Sequence, residues 1–535
     1  MRTTKDLNVT FLGIIPVLED KTGILSPQEI VSLSSLLVFK GRSVQQLYQD
    51  GVERGMDRGK RIQRIMKKSS LRGHASIATT PVICFSYEGS KFLDSGLTSM
   101  IFASALMASG RRTDTSREDI IYPTTISARP KAKEIYKRNS EANIDLSNFL
   151  LAEDVQKDAA SKTLQFGVYG TGIFQFPLES IIALKREWEA EKDWMPEEIG
   201  LLLEKIEAQL KNYGVDLLYA TRTVAPRNTY PYPNIFRNPI PSNVVRDLIK
   251  KRRVGEQTTI VSADFIDTPN LKKRLNDLNK DIQKMIKDKG GIKKNWYQVL
   301  LKRNQIARDY HLSANIKILS TVVLRVWGEK KRHRTVPMVV ESIYYCVDRA
   351  ARVFKKYEKQ VQQRKLDKKA IDKLGQVYSI PRSIAANENF LYAWLERGLD
   401  SFNAYNQMIK LGVKPPDALF VLPRALKVDV LQEYNLFNLI SGYYPIRICS
   451  TAEEEMRLLS RKEVVMIKNL LKEKGLGYLA NHLVPKCQAV GFCLEEKPCG
   501  MIQALVKGYD DRFHQEIHED LEKRFQEQLK IINKK

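Results

Sequence analysis

The fold class is decided by two stretches near the start of the chain, VTFLGII at residues 9–15 and SPQE at residues 26–29. The first is a short apolar run with β-branched members, which predicts a strand. In the second, Ser at the cap and Pro at the first helical position predict the start of a helix. Further on, PVICFSYEG at 81–89 predicts a half-buried strand, and the small and apolar residues 92–107 predict a buried helix. Alternating strands and helices predict an α/β fold.

Length and composition exclude several classes of protein. The chain has 535 residues, of which 43% are hydrophobic, so it is too long for one hydrophobic core and too apolar to be disordered. No run approaches the roughly 18 apolar residues of a membrane-spanning helix, and the first residues lack the pattern of a signal peptide. We therefore expect a soluble, cytoplasmic protein of two or more domains that does not associate with a membrane. Six cysteines in this length do not resemble a secreted disulfide framework.

The charge of the chain points to an anionic partner. Lys and Arg number 87 against 62 Asp and Glu, which gives a net charge of +25 and favours nucleic acid, anionic lipid or phosphate-bearing small molecules as ligands. Basic runs at 250–253, 330–332 and 355–369 concentrate this charge in the second half of the chain. Such runs are usually solvated faces, so charge alone does not choose among these partners.

Three features outline the second half. The prolines between residues 230 and 241 predict a loop near a domain boundary. A helix from about 451 to 474 is predicted by Ser450 and Glu453, which have capping-box spacing, and by the glycine at its end. An amphipathic helix beginning near residue 270 is predicted by one apolar stripe, which consists of Leu271, Leu275, Leu278, Ile282 and Met285.

Two segments contain the clearest chemical motifs. One contains GHAS at 73–76 and ASALMASGRR at 103–112, and the other contains HLS at 311–313 and RHRTVPMVVESIYY at 332–345. Clustered arginine and histidine with serine hydroxyls supply the hydrogen-bond donors that phosphate and pyrophosphate groups need. Both segments are therefore candidate sites for phosphate-bearing ligands.

These segments resemble the flavin-dependent thymidylate synthases, whose signature is Arg-His-Arg-x-x-Ser-x-x-x-x-Ser-x-Arg preceded by Gly-His-x-Ser. The second segment keeps Arg-His-Arg and places Ser342 at the final serine, but it has Tyr344 where the closing arginine stands. The first segment keeps Ser109 and Arg111 at the signature spacing, but it has SMI at 99–101 in place of Arg-His-Arg. The two incomplete copies complement each other.

The C-terminal half of the family pattern follows in residues 405–423 and again at Arg447, with Leu419 where family members usually carry a nucleotide-binding arginine. A fainter echo at 214–226 indicates an internal duplication. We therefore expect two related mixed sheet-and-helix modules with a helical insertion and a C-terminal extension. The expected modules are 1–245 and 255–470, and the expected extension is 471–535.

The resemblance implies reductive methylation of dUMP to dTMP without a cysteine nucleophile. Methylenetetrahydrofolate would supply the carbon, reduced FAD the hydride, and NADPH the electrons that reduce the flavin. The residues implied to hold FAD are His74, Arg332, His333 and Arg334. Those implied to bind and polarise the nucleotide are Ser109, Arg111 and Arg447, with Ser342 as the second copy's counterpart of Ser109. A tandem chain further implies a homo-oligomer, a dimer whose composite sites join the two half-motifs.

Two other functions stay open. The departures at 99–101, Tyr344 and Leu419 favour a divergent or non-catalytic homologue that binds flavin or nucleotide. The basic second half favours a nucleic-acid-binding protein, whose affinity would fall steeply with salt. The run at 332–334, taken alone, also suits a solvated patch.

A cluster of cysteines near the end of the chain is a candidate metal or redox site. Cys487, Cys493 and Cys499 lie close to His482 in the sequence. The paired Cys-x-x-Cys spacing typical of zinc is absent. We therefore expect no metal and regard these four residues as weak candidates, with buried or free thiols as the alternative.

Overall fold

The chain forms two compact units, each of which contains helices and sheet. The computed structural model describes residues 1–20, 23–72, 74, 76–108, 113–226, 231–252, 256–287, 292–505 and 509–533. The first unit consists of Met1–Asn243, Val323–Arg332 and Val340–Val428, and the second consists of Val244–Val322, His333–Val339 and Asp429–Lys535. The mixture of helix and sheet confirms the predicted α/β class. The duplicated modules at 1–245 and 255–470 and the extension at 471–535 stay predictions, because compactness reports contacts and not common origin.

The first unit is built on a four-stranded antiparallel sheet. Its strands lie in the order Asn8–Ile15, Val82–Ser90, Tyr169–Pro177 and Ser104–Met107, which confirms the strands predicted at 9–15 and 81–89. Two two-stranded sheets pair Leu18–Asp20 with Gly23–Leu25 and Arg2–Thr3 with Ile121–Tyr122. The α-helices are Pro27–Lys40, Val44–Glu53, Arg58–Lys68, Ser76–Thr79, Lys91–Leu97, Thr124–Ser127, Pro130–Ala152, Lys157–Ala160, Leu178–Glu191, Glu197–Glu207, Asp216–Val224, Leu324–Lys330, Ile343–Gln362, Lys368–Val377, Arg382–Ala385, Glu388–Lys410 and Pro415–Ala418.

The helix predicted over residues 92–107 is wrong beyond its first part. The helix ends at Leu97, and Ser104–Met107 forms a strand paired with Tyr169–Pro177. At the helix end both the backbone N–H and the hydroxyl of Thr98 donate to the carbonyl of Asp94, at 3.2 Å and 2.5 Å. Phe102 then takes φ of 59°, the left-handed geometry of a turn. Pairing with a neighbouring strand has overridden a composition that suits a helix.

The second unit has its own four-stranded sheet. Its strands lie in the order Met338–Val340, Lys427–Asn435, Ala314–Val323 and Thr258–Phe265, and the last two are antiparallel. The α-helices are Val244–Ile249, Pro269–Lys287, Ile292–Asp309, Tyr444–Arg447, Glu454–Glu473, Gly477–Ala480, Lys486–Val490, Met501–Leu505 and Asp511–Asn533, and a π-helical turn spans Asn438–Gly442. Within the described residues, no helix combines the length and the apolar character needed to cross a membrane.

Two of the three predictions for the second half are confirmed and one is corrected. The amphipathic helix is Pro269–Lys287, and all five residues of its apolar stripe are buried in one hydrophobic cluster. Residues 231–243 form neither helix nor strand, as the prolines predict. The helix predicted from 451 begins instead at Glu454, because Glu453 itself is the N-cap and accepts the backbone N–H of Met456 at 2.8 Å. Ser450 takes no part in that cap.

We expect the apolar stripe to be the main stabilising feature of the helix Pro269–Lys287. Leu275 is fully buried and Lys273, on the same helix, is exposed. Leu275→Ala should lower the free energy of unfolding by about 2–5 kcal/mol, because it leaves a cavity in the core. Lys273→Ala is the control and should change it by less than about 0.5 kcal/mol. Chemical denaturation followed by circular dichroism measures both, and equal effects of the two substitutions would contradict the assignment.

Candidate active site

Two residues that the sequence places 114 positions apart meet in the second unit. The Nε of Arg447 donates to the Nε2 of His333 at 2.8 Å. Because that nitrogen accepts, the proton of a neutral imidazole lies on Nδ1. The His333 ring also packs edge-on against Tyr443, with ring centroids 4.8 Å apart. The arginine is therefore held in a defined position beside an imidazole, which is an arrangement suited to binding an anionic or carbonyl-bearing ligand.

Two hydrogen bonds anchor the turn that precedes Arg447. The carboxamide of Asn438 donates to the carbonyl of Thr335 at 2.8 Å, and the hydroxyl of Thr335 donates back to the Asn438 carboxamide oxygen at 2.9 Å. This pair joins the π-helical turn to the strand-forming segment just after His333. A π-helical turn is uncommon and is frequent at functional sites. Here it leads into the four-residue helix Tyr444–Arg447.

Arg332 lies in the first unit and contacts Met107 of the first motif segment. Its Nη2 contacts the Sδ of Met107 at 3.7 Å. Met107 is the last residue of the strand that leads into Ser109 and Arg111. Those two residues lie outside the described residues, so their predicted role stays a prediction.

A buried ionic cluster lies at the end of the strand Ser104–Met107. The ammonium of Lys91 donates to the carbonyl of Ala108 at 3.0 Å and lies 3.5 Å from the carboxylate of Asp94. Burial, followed by the charges of Arg424, Arg325 and Arg332, lowers the pKa of Lys91 to about 7. Burial also raises the pKa of Asp94 well above its usual value. Both groups are thus shifted toward their neutral forms beside the backbone that precedes Ser109.

The basic run at 330–332 is not a solvated face throughout. Lys330 and Lys331 are buried, and only Arg332 is exposed. The Lys331 ammonium donates to the backbone carbonyls of Asp94 and Ser95, and it lies 4.2 Å from the ring centroid of Trp327. Because its ammonium group is held by carbonyls and by the face of an indole ring, Lys331 stabilises the packing of the first unit. Arg334, in the second unit, is exposed.

The second copy's nucleotide positions are occupied by packed side chains of the first unit. Ser342 is buried, and its hydroxyl donates to the carbonyl of Arg237 at 2.7 Å. The hydroxyl of Tyr344 donates to the carbonyl of Trp194 at 2.7 Å, and Leu419 is completely buried. These contacts belong to the core. Ser342 belongs to the first unit, and the Arg447 and His333 pair belongs to the second.

His74 stands apart from the other predicted residues. It is exposed, and its backbone N–H donates to the carbonyl of Ser69 at 3.2 Å. The short helix Ser76–Thr79 follows it. The flanking Gly73 and Ala75 lie outside the described residues, so the role of this segment stays a prediction.

The candidate metal ligands are mostly buried and neutral. His482 is buried, and burial together with Arg303 lowers its pKa to about 4. Burial raises the pKa of Cys487 to about 11 and also raises that of Cys493, whereas a hydrogen bond with Ser450 lowers that of the exposed Cys499. All six cysteines are free thiols. Across the part of the chain that the structure describes, no group of three His, Cys, Asp or Glu residues could hold a metal ion.

Several residues around Lys91 and around Arg447 were not predicted from the sequence. Lys91 and Asp94 sit in an otherwise apolar helix of seven residues, and two charges three residues apart in such a helix are a readable sign of a buried pair. Lys331 follows Trp327 by four residues, which predicts a contact on one helix face. Tyr443 and Asn438 had no such signal, because their partners are distant in the sequence.

Comparison with known proteins gives a match over the second half of the chain. Residues 256–471 match the sequence model of the family described as thymidylate synthase complementing protein. The flavin-dependent thymidylate synthase of Pyrococcus abyssi is 25% identical over 128 residues, which are 24% of this chain and 51% of that protein. That of Pyrococcus horikoshii is 28% identical over 124 residues, which are 23% of this chain and 49% of that protein. The chain thus spans about half the length of the curated relatives it matches.

A solved structure aligns as well. The UMP/dUMP methylase PolB from Streptomyces cacaoi, bound with 5-Br dUMP, aligns at 13% identity with a TM-score of 0.33, over 42% of this chain and 99% of that chain. The family match confirms the resemblance to the flavin-dependent thymidylate synthases. The match lies in the second of the two expected modules, and the internal duplication stays a prediction.

A buried carboxyl group at the start of the Lys91 helix, that of Glu198, predicts that the stability of the fold depends on pH. Glu198 is buried and accepts the backbone N–H of Ser90, the N-cap of the Lys91 helix, at 2.9 Å. Burial raises the pKa of Glu198 from 4.5 to about 8. Because the folded state holds the proton more tightly, this group stabilises the fold fully below pH 4.5 and loses that contribution as the pH rises to about 8.

Glu198→Gln should remove this dependence, which is on the order of 5 kcal/mol across the window. Urea denaturation at several pH values between 5 and about 9 measures it. Glu204 lies on the exposed face of the helix Glu197–Glu207, which also carries Glu198. Glu204→Gln should therefore leave the dependence of stability on pH as it is in the wild type. A Glu198→Gln protein whose stability still falls with pH as steeply as the wild type would contradict the assignment.

Proposed function

Because residues 256–471 match the thymidylate synthase complementing protein family, we propose that the chain is a flavin-dependent thymidylate synthase. The reaction transfers the methylene carbon of methylenetetrahydrofolate to C5 of dUMP, adds a hydride, and releases the C5 proton with tetrahydrofolate. FAD is the proposed resident cofactor, and NADPH is the proposed reductant. The expected product is dTMP.

The observation that carries the proposal is the hydrogen bond between Arg447 and His333. These residues come from two separate pieces of the family pattern, and the resemblance implied that both lie at one site. Their contact at 2.8 Å within the second unit supports that implication independently of sequence identity. A chance basic run would not require its histidine to meet an arginine from a distant segment.

The donor set suits a flavin dinucleotide. Arg332 and Arg334 are exposed on either side of the half-buried His333, and planar guanidinium groups match the geometry of a pyrophosphate. When bound, reduced FAD supplies the hydride. The net charge of +25 would raise the local concentration of anionic ligands around such donors.

Arg447 has the proposed role of polarising the substrate. A guanidinium beside a uracil carbonyl withdraws electron density from the carbonyl and makes the ring easier to attack and to deprotonate. His333 holds the arginine through Nε and so orients it, which reduces the reorganisation needed during the reaction. His333 is thus proposed both as a flavin-binding residue and as a positioning residue for Arg447.

The nucleotide phosphate is proposed to bind the first copy's residues, Ser109 and Arg111. Two facts support this assignment. Ser342, the alternative from the second copy, already donates to a backbone carbonyl inside the core. Met107, which precedes Ser109 by two residues, contacts Arg332. Composite use of the two half-motifs is consistent with the proposed dimer of tandem chains.

A second candidate is a homologue that binds flavin or nucleotide without methylating dUMP. The packed Tyr344 and Leu419 favour it, because they replace two arginines that family members use on the nucleotide. In that case flavin binding at 332–334 would persist and turnover would not. The same experiment separates the two candidates.

The test is tritium release from deoxyuridylate labelled at C5, in the presence of methylenetetrahydrofolate, FAD and NADPH. We expect release by the wild-type protein and a loss on the order of a hundredfold in Arg447→Gln, because a charged donor is removed from the reacting ring. Arg461→Gln, an exposed residue on the helix Glu454–Glu473, is the matched control and should retain activity.

The absorption spectrum of the same preparations reports flavin binding separately. Bound flavin with no tritium release under any condition would favour the second candidate. Absence of both flavin binding and release in the wild-type protein would overturn both.

A further inference from the structure

A cavity of about 480 Å³ lies in the first unit, between the helices Ile343–Gln362 and Glu388–Lys410. This volume falls within the usual range of small-molecule sites. Tyr344, which stands where the family signature has its closing arginine, lines it, but none of the residues proposed above to bind flavin or nucleotide does. The proposed reaction therefore leaves this cavity unexplained.

The walls of the cavity are largely aromatic. Trp194 and Tyr344 stand edge to face at one end, with ring centroids 5.0 Å apart. Phe354 and Phe402 line another part, with centroids 5.1 Å apart. Aromatic side chains arranged around a space favour a flat ligand that stacks on them.

Two half-buried polar groups line the cavity, the hydroxyl of Tyr405 and the indole N–H of Trp194. Burial together with the charge of Asp348 raises the pKa of Tyr405. Partly buried polar groups usually find a partner. These two can pair with the polar edge of a ligand ring.

The lining contains one acid, Asp348, and two cations, Arg352 and Lys355, which leaves one net positive charge. Each makes an exposed ion pair on its own helix, Arg352 with Asp348 at 2.7 Å and Lys355 with Glu358 at 2.5 Å. Exposed pairs of this kind contribute little to stability. An incoming anion can therefore compete for either cation. An aromatic interior with cations at its edge fits a flat ring that carries a negative charge.

We propose that this cavity binds a planar heteroaromatic ring that carries an anionic group and is about the size of a mononucleotide. The ring would stack on Trp194 and hydrogen-bond with Tyr405. Its anionic group would face Lys355 and Arg352. A phosphate or a carboxylate provides the same charge, and the test distinguishes the two.

The experiment is direct binding to the full chain without turnover, so its result does not depend on the proposed reaction. Adenosine monophosphate is the phosphate probe, and pterin-6-carboxylate is the carboxylate probe. Titration calorimetry measures affinity, and quenching of tryptophan fluorescence reports contact with Trp194. We expect one probe to bind with a dissociation constant below about 1 mM. Trp194→Phe should remove most of the quenching.

Substitutions locate the bound probe. Tyr405→Phe should weaken binding roughly fivefold through loss of one hydrogen bond, and Lys355→Gln roughly threefold. Ala351→Met, which places a longer side chain in the lining, should abolish binding. Lys359→Gln lies one turn beyond Lys355 on the same helix and outside the cavity, and it should bind like the wild type.

Two results would overturn the proposal. One is that neither probe binds. The other is that a probe binds equally well to the wild type, Ala351→Met, Tyr405→Phe and Lys355→Gln. Lys355→Gln and Lys359→Gln each remove only an exposed charge. They keep the test informative if Ala351→Met does not fold.

Discussion

The candidate site depends on one buried cation, Arg303. Its guanidinium donates to the carbonyl of Ile440 in the π-helical turn at 2.9 Å, to that of Ala489 at 3.1 Å and to that of His482 at 3.4 Å. Burial lowers its pKa to about 10, so it still carries its charge at neutral pH. A buried charge of this kind requires all its carbonyl partners to stay in place. Arg303 thereby joins the C-terminal part of the chain to the turn that leads into Arg447.

This constraint explains why the cysteine-rich segment near the C terminus need not be a metal site. Two of the three carbonyls on Arg303 come from that segment, at His482 and Ala489. Between them, Cys487 packs into the hydrophobic cluster that also contains the stripe of the helix Pro269–Lys287. The segment supports the backbone around the Arg447 and His333 pair through packing and hydrogen bonds.

The sequence predicts the parts of the fold that depend on local patterns. The strand at Val82–Ser90, the helix at Pro27–Lys40 and the stripe of Leu271 and Leu275 follow from periodicity and caps. The strand Ser104–Met107 was missed, because its residues become a strand only through pairing with a distant partner. Lys331 was misread for a similar reason, since its carbonyl partners lie more than 200 positions away.

The sequence identified residues of the candidate site but not which of them lie together. The family resemblance identified Arg332, His333 and Arg447, and only the structure brings His333 and Arg447 into contact. Ser342 also matched the family pattern, yet the structure buries it against Arg237. A motif gives the order of residues along the chain. It does not report which polar groups the core has already used.

The most direct measurement of the central claim is a double-mutant cycle on tritium release at saturating FAD. Its four proteins are the wild type, His333→Gln, Arg447→Gln and the double variant. If His333 acts by orienting Arg447, each single substitution should lower kcat/KM for dUMP, and the double variant should lose little more than Arg447→Gln alone, with a coupling on the order of tenfold. Effects that multiply independently, or single variants as active as the wild type, would contradict the claim.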